Sequence, residues 1–288
     1  MQNNRTPGQK ILHFSITKII IGLVVCLSIG VLGHQGVSKL LDRTSLSEES
    51  KDLIAGFLLA LLVLVTYIIL YKFYEKRKIT ELSTGKLARN LIVGILTGAM
   101  LQALIIYVMY LNNDFFVISV NRFISVLPNL ASVFLASVTA EILFIGIIFR
   151  ITEEKLGSYI SLAIFAFIFG AIHLAIPNGT LAGAFGIAMH AGLLLGAAYI
   201  YSRNLWFPIA IHFAWDFTQA GIFGAAVSGY KISKSLLTTK IEGSAFISGG
   251  YFGPQGSIQA ALFCMIAAII LMILNRRQNK IIRPYCRK

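Results

Sequence analysis

LIAGFLLALLVLVTYIILYKFY, residues 53–74, carries no charged side chain before Lys72. As a helix rising about 1.5 Å per residue, a run of this length crosses a hydrocarbon core of about 30 Å. Similar runs recur along the chain. Their apolar residues are continuous rather than alternating, which excludes spanning strands and leaves helices, whose backbone groups bond within the segment. Hydrophobic residues make up 57% of the 288 and charged residues 13%, against about 25% charged in a soluble domain. The sequence therefore predicts an all-α, polytopic membrane helix bundle. Eight spans are expected, at 11–33, 53–74, 91–111, 129–150, 158–176, 183–202, 206–224 and 259–275, in a single membrane domain over 1–288.

Lys and Arg give the orientation, because cytoplasmic loops near span ends accumulate them. With the N-terminus inside, 17 fall in cytoplasmic segments and seven outside, with Lys18 inside the first span. Both termini are expected to be cytoplasmic, in a multi-pass protein of the cell membrane. The net charge of +13 then reads as a topology signal and an attraction to anionic lipids. It is not a nucleic-acid footprint, since the cations border spans rather than line a soluble face. EKRKITELSTGKLARN (75–90) is expected to be a topology-fixing cytoplasmic connection. The external segments 34–52 and 225–258 carry no motif, and the second reads as flexible cover. Cys26 and Cys264 read as small apolar fillers, and Cys286 lies in the cytoplasmic tail.

TAEILFIGIIFR (139–150) sets one carboxylate, Glu141, in an apolar run. A charge at that depth is costly and points either to a functional site or to a satisfied helix–helix hydrogen bond. Of the twelve Asp and Glu, only Glu141 and Asp216 fall within spans, and the later spans also hold His173, His190 and His212. In FIFGAIHLAIPNG, Phe169 and His173 are four apart and share a helix face. In LWFPIAIHFAWDF, His212 and Asp216 have the same spacing, so the acid can fix the tautomer of a neighbouring imidazole. His190 is expected to be structural.

A glutamate-bearing helix ending in RITEEKLG, then F-x-x-x-H, then H-x-x-x-D after NLWFP, resembles the CPBP family (CAAX protease and bacteriocin-processing, or Abi). These are intramembrane endopeptidases that include the CAAX prenyl proteases. The motif-bearing core is 129–224. The resemblance implies hydrolysis of a CAAX-type, leader or signalling peptide by carboxylate-activated water, with Glu141, His173, His212 and Asp216 as catalytic residues. It implies a peptide or protein substrate at the membrane, and allows for a membrane-protein partner. A divalent metal such as Zn²⁺, if used, would be held by His173 and His212, although no H-E-x-x-H helix is present.

The family's first motif reads E-E-x-x-x-R followed by Gly. Aligned on Gly146, its two glutamates fall on Ala140 and Glu141 and its arginine on Ile145. Adjacent helical positions point about 100° apart, so Glu141 takes a shifted place and is expected to lack its usual counter-ion. The alternative is a member that keeps the cavity and binds a peptide or partner without cleaving it. A proton-coupled transporter is less favoured, since the chain has no repeat halves. A common site also requires the fourth helix to continue past Arg150, and the seventh to start near Pro208.

Overall fold

The computed structural model describes residues 14–176, 178–232 and 234–285. The start of the first expected span, His13 and Cys286 lie outside them. Helix α1 (Ser15–Leu41) and α2 (Glu48–Tyr74) form a hairpin; α3 (Leu87–Leu111) leads to strand β1 (Phe115–Val120). Then come α4 (Leu127–Ala140), a wide π-helical stretch over Glu141–Phe149, and α5 (Arg150–Ile172). Next, α6 (Leu181–Ile187), a π stretch over Ala188–Leu195 and α7 (Gly196–Ser202) make one helix. After α8 (Trp206–Phe217), with its π turn Thr218–Ile222, follow β2 (Leu237–Ile241), α9 (Ala245–Ser248) and α10 (Ile258–Arg277).

Local chemistry sets many of these limits. Ser47 accepts from the Ser50 amide ahead of Glu48 and Glu49, an arrangement that caps α2 and suits the positive end of its dipole. Thr180 and Ser257 cap α6 and α10 in the same way. Pro128 occupies the first turn of α4, where its missing N–H costs nothing.

Six helical segments are long and apolar enough to cross a membrane: Ser15–Leu41, Glu48–Tyr74, Leu87–Leu111, Phe123–Ile172, Leu181–Ser202 and Ile258–Arg277. The fourth is 50 residues long and breaks at Gly157, whose φ of 76° and ψ of 170° are not helical. A side chain there would be strained by that φ and would meet Ile282 O at 2.8 Å. The expected fourth and fifth spans are thus two arms about one glycine. The expected seventh span is 12 residues of α8 and five of the π turn.

Two loop expectations need correction. Residues 34–41 continue α1 rather than starting a long loop. The stretch 225–258 is not loose cover: β2 pairs antiparallel with β1, and Phe252, Gln255 and Ser257 are buried. The bundle is therefore all-α with one small sheet at one end.

Helices α3 and α8 meet through glycines. A Cβ on Gly94 would come 2.9 Å from Phe207 O, and one on Gly98 would strike the Ile211 carbonyl. Backbone cannot yield as a side-chain tip can, and overpacking costs about 1–3 kcal/mol. Gly98→Val is therefore expected to lower the unfolding midpoint in detergent, whereas Gly36→Ala, with open space around its Cβ, should not.

The other end of the bundle is an ion-pair layer. Glu75 meets Lys18 at 2.9 Å, Arg77 at 2.7 Å and Arg150 at 2.9 Å. Arg77 also pairs with Glu81 at 2.5 Å, and Arg203 with Glu153 at 2.6 Å. The segment 75–90 does more than carry charge: Leu205 N donates to Glu81 O at 2.7 Å and Asn204 to Ser83 O at 2.8 Å, tying it to the start of α8.

Burial alone would raise the Glu75 pKa, but Arg150, Lys18 and Arg77 outweigh it and hold the carboxyl below the usual glutamate value. A carboxyl depressed on folding stabilises the protein above its unfolded pKa, and that stability is lost as pH falls through the folded pKa. The unfolding midpoint should thus show no Glu75-dependent loss between pH 7 and 5. It should fall as pH drops below about 4.3, the ordinary Glu value, and the acid-dependent part of the fall should shrink in Glu75→Gln.

Candidate active site

Glu141 stands where α4 gives way to the π stretch, and it is 1% exposed. In a π turn each N–H reaches back five residues, as Arg150 N does to Ile145 O. Such turns shift the facing of later side chains by one position and concentrate at functional sites. The register offset of the first motif therefore falls on a stretch whose winding is itself altered.

α8 brings His212 to this point. Its Nδ1 lies 2.7 Å from Glu141 Oε1, and its Nε2 lies 3.3 Å from Asp216 Oδ2. The expected four-residue pairing of His212 and Asp216 is met, and Glu141 joins it from 71 residues away. A ring protonated at both nitrogens satisfies both carboxylates; a ring with one proton needs one carboxyl to carry the other. The second oxygen of Glu141, Oε2, is shut from solvent and has no hydrogen-bond partner among the described residues.

Both geometric requirements for a common site are met. The helix continues past Arg150 to the Gly157 break, and α8 starts at Trp206 with Pro208 in its first turn. In place of the motif's arginine, His212 is the side chain that Glu141 meets. Ile145 is fully buried in the apolar core. Arg150 is committed elsewhere, donating from Nε to Gly146 O at 2.9 Å and pairing with Glu75.

His173 caps α5. Its ring lies 5.2 Å from that of Phe169, and its Nδ1 is 2.7 Å from the Phe169 carbonyl oxygen. That oxygen only accepts, so Nδ1 carries the proton, and Nε2 of the neutral ring is left as an acceptor. His173 is within electrostatic range of His212 and Asp216, but its Nδ1 is bonded to the backbone rather than to either.

His190, expected to be structural, lies beside the site. It sits in the second π stretch, stacked on Trp215 at 3.8 Å, with its ring centre 6.4 Å from that of His212. Neither of its ring nitrogens, nor Trp215 Nε1, has a hydrogen-bond partner among the described residues. Trp215 is adjacent to Asp216 in LWFPIAIHFAWDF, yet nothing in that spacing pointed to a ring stacked on His190.

A divalent metal does not fit these residues well. Among the described residues, no three His, Cys, Asp or Glu side chains group as a metal site. Both nitrogens of His212 already face carboxylates, which leaves the expected His173–His212 pair without two free donors. No chemical step is assigned to a metal below.

The profile of one protein family, described as type II CAAX prenyl endopeptidase Rce1-like, matches residues 120–218. That third of the chain contains Glu141, His173, His212 and Asp216. No curated protein and no solved structure matches the chain. With its six long apolar helices, the chain is a multi-pass membrane protein, and its residues 120–218 are similar to the type II CAAX prenyl endopeptidase Rce1-like family.

Proposed function

From the Rce1-like character of residues 120–218, we propose that this protein hydrolyses a peptide bond at the membrane, using Glu141 to activate water. The single observation behind this reading is the Glu141–His212 contact of 2.7 Å, with Glu141 Oε2 otherwise unpartnered. Oε2 is closed to solvent in the structure, so the step requires the site to open to water with the substrate. Oε2 then takes a proton from that water as the water oxygen attacks the scissile carbonyl carbon. His212 orients the Glu141 carboxylate through Oε1, and Asp216 holds His212 from the opposite nitrogen. His173 Nε2 accepts the second hydrogen of the water and so positions it. The proton on Glu141 then passes to the leaving amine as the C–N bond breaks.

Eight crossings follow if the Gly157 break separates two spans and α8 with its π turn forms a short one. The ion-pair layer supports this count, because it gathers Lys18, Glu75, Arg150, Arg203 and Lys280 from alternate helix ends. With that layer cytoplasmic, both termini are inside and one membrane domain runs through the chain. Labelling of single cysteines introduced at 76–89 and 42–47 from opposite sides of sealed vesicles tests the orientation.

Substrates of this site would be CAAX-type C-termini, or leader or signalling peptides. The purified protein should cleave a fluorogenic CAAX-type peptide or members of a membrane-peptide library, and His173→Ala should cleave more slowly. The second reading, a binding protein that does not cleave, is favoured by Ala140 and Ile145 at two motif positions. It predicts that wild type binds without cleaving, and that only Ala140→Glu combined with Ile145→Arg gains activity.

A further inference from the structure

A cleft opens at the ion-pair end, between the start of α3, the end of α7, the first turn of α8 and the segment after α10. Lys86, Arg89, Asn90, Tyr201, Phe207 and Lys280 line it. Its volume is about 60 Å³, and since a water needs roughly 10–15 Å³ of such space, several waters or one small anion fit.

The charge in this cleft is not neutralised. Among the described residues no carboxylate lines it: Glu81 is held by Arg77 and Tyr67, and Glu153 by Arg203 and Ser158. Neither Lys86 nor Arg89 has an ion-pair partner among the described residues. Lys280 donates to the Tyr201 carbonyl and lies 4.2 Å from the centre of its ring, contacts that hold the ammonium without cancelling its charge. Partial burial and the neighbouring Lys86, Arg89 and Arg203 lower its pKa. Asn90 is 8% exposed, and its side-chain amide has no hydrogen-bond partner among the described residues. Asn90 lines the cleft beside the three cations, and an unpaired amide N–H there can donate to an anion. The four groups at one place thus suit an anion that accepts hydrogen bonds.

The apolar side of the cleft identifies the carrier of that anion. Val93 belongs to the cleft wall. Leu96 and Met100 follow it at helical spacing on α3, and the three are 45%, 64% and 60% exposed. A free phosphate has no use for such a rail, whereas a phospholipid has an acyl chain to lay along it. Basic pockets between helix ends are known sites for anionic head groups.

We infer that this cleft binds an anionic phospholipid. Lys86, Arg89 and Lys280 surround the phosphate, Asn90 donates its amide, and one acyl chain runs along Val93, Leu96 and Met100. The inference is independent of whether the Glu141 site cleaves peptides.

The test uses full-length protein stripped of lipid in detergent. Native mass spectrometry and thermal unfolding would follow addition of phosphatidylglycerol, phosphatidylcholine or inorganic phosphate. Phosphatidylglycerol should be retained and raise the midpoint, with at least tenfold weaker retention in the double variant Lys86→Gln, Arg89→Gln. Both side chains are exposed and unpaired, so the variant should fold, and Lys72→Gln serves as the charge control away from the cleft. Equal retention of the two lipids, or equal loss in the Lys72→Gln control, would overturn the inference. So would inorganic phosphate that displaces the lipid and reproduces its shift, which would make the cleft a site for soluble phosphate.

Discussion

Glu141→Gln should lower peptide cleavage by about 10²–10⁴-fold, the usual contribution of a general base, while leaving the fold nearly unchanged. Glutamine matches glutamate in shape, and its amide oxygen can still accept from His212 Nδ1, 2.7 Å away in the native protein. It cannot take a proton from water. Peptide affinity should change little, so the loss should appear in kcat rather than in KM. A variant that cleaves as wild type does would remove Glu141 from the chemistry, and its burial would then be explained by the His212 contact alone.

His212→Ala should act on both stability and activity. His212 is the group between two carboxylates, with side chains 1% and 12% exposed for Glu141 and Asp216. Removing one partner from a buried charged network typically costs about 3–5 kcal/mol, because the other charges are left without compensation. The expected result is a clearly lower unfolding midpoint in detergent, together with loss of cleavage. The double change His212→Ala with Glu141→Gln should recover part of the lost stability and none of the activity. A double variant whose loss equals the sum of the losses in His212→Ala and Glu141→Gln would mean that the two side chains are not energetically coupled.

Much of this architecture could be read from the residues, because its causes are local. Continuous apolar runs give helices of spanning length, and the four-residue spacing of His212 and Asp216 gives a shared face. Glu141 stood out because a lone carboxylate in such a run needs a reason. The pairing of Glu141 with His212 was less legible: it joins residues 71 apart and depends on how α4 and α8 pack. The π stretches carry no sequence signal of their own, since Ala140 to Phe149 would serve equally well as an ordinary helix. Aligning the first motif on Gly146 assumes such a helix and says nothing of His212, the side chain that Glu141 meets.

Long-range contacts also explain the other corrections. The place of His190 was not legible for the same reason, since the Trp215 ring on which it stacks comes from another helix. The stretch 225–258 is rich in Gly and Ser and reads as a loose loop. Its order comes from β1 and from burial of Phe252 against Gly183, neither of which is close in sequence. Residues 75–90 advertised their charge, but their hydrogen bonds run to residues 204 and 205.

The central claim is that Glu141 activates a water molecule that attacks the peptide carbonyl directly. It is tested most directly by a single turnover of excess wild-type protein on a CAAX-type peptide in H₂¹⁸O. The new C-terminal carboxylate would be read by mass spectrometry. The account predicts cleavage with one ¹⁸O in that carboxylate from the first turnover. An unlabelled first-turnover product would mean that a carboxylate oxygen of the protein attacked instead, and no cleavage across a broad membrane-peptide library would contradict the hydrolytic reading itself.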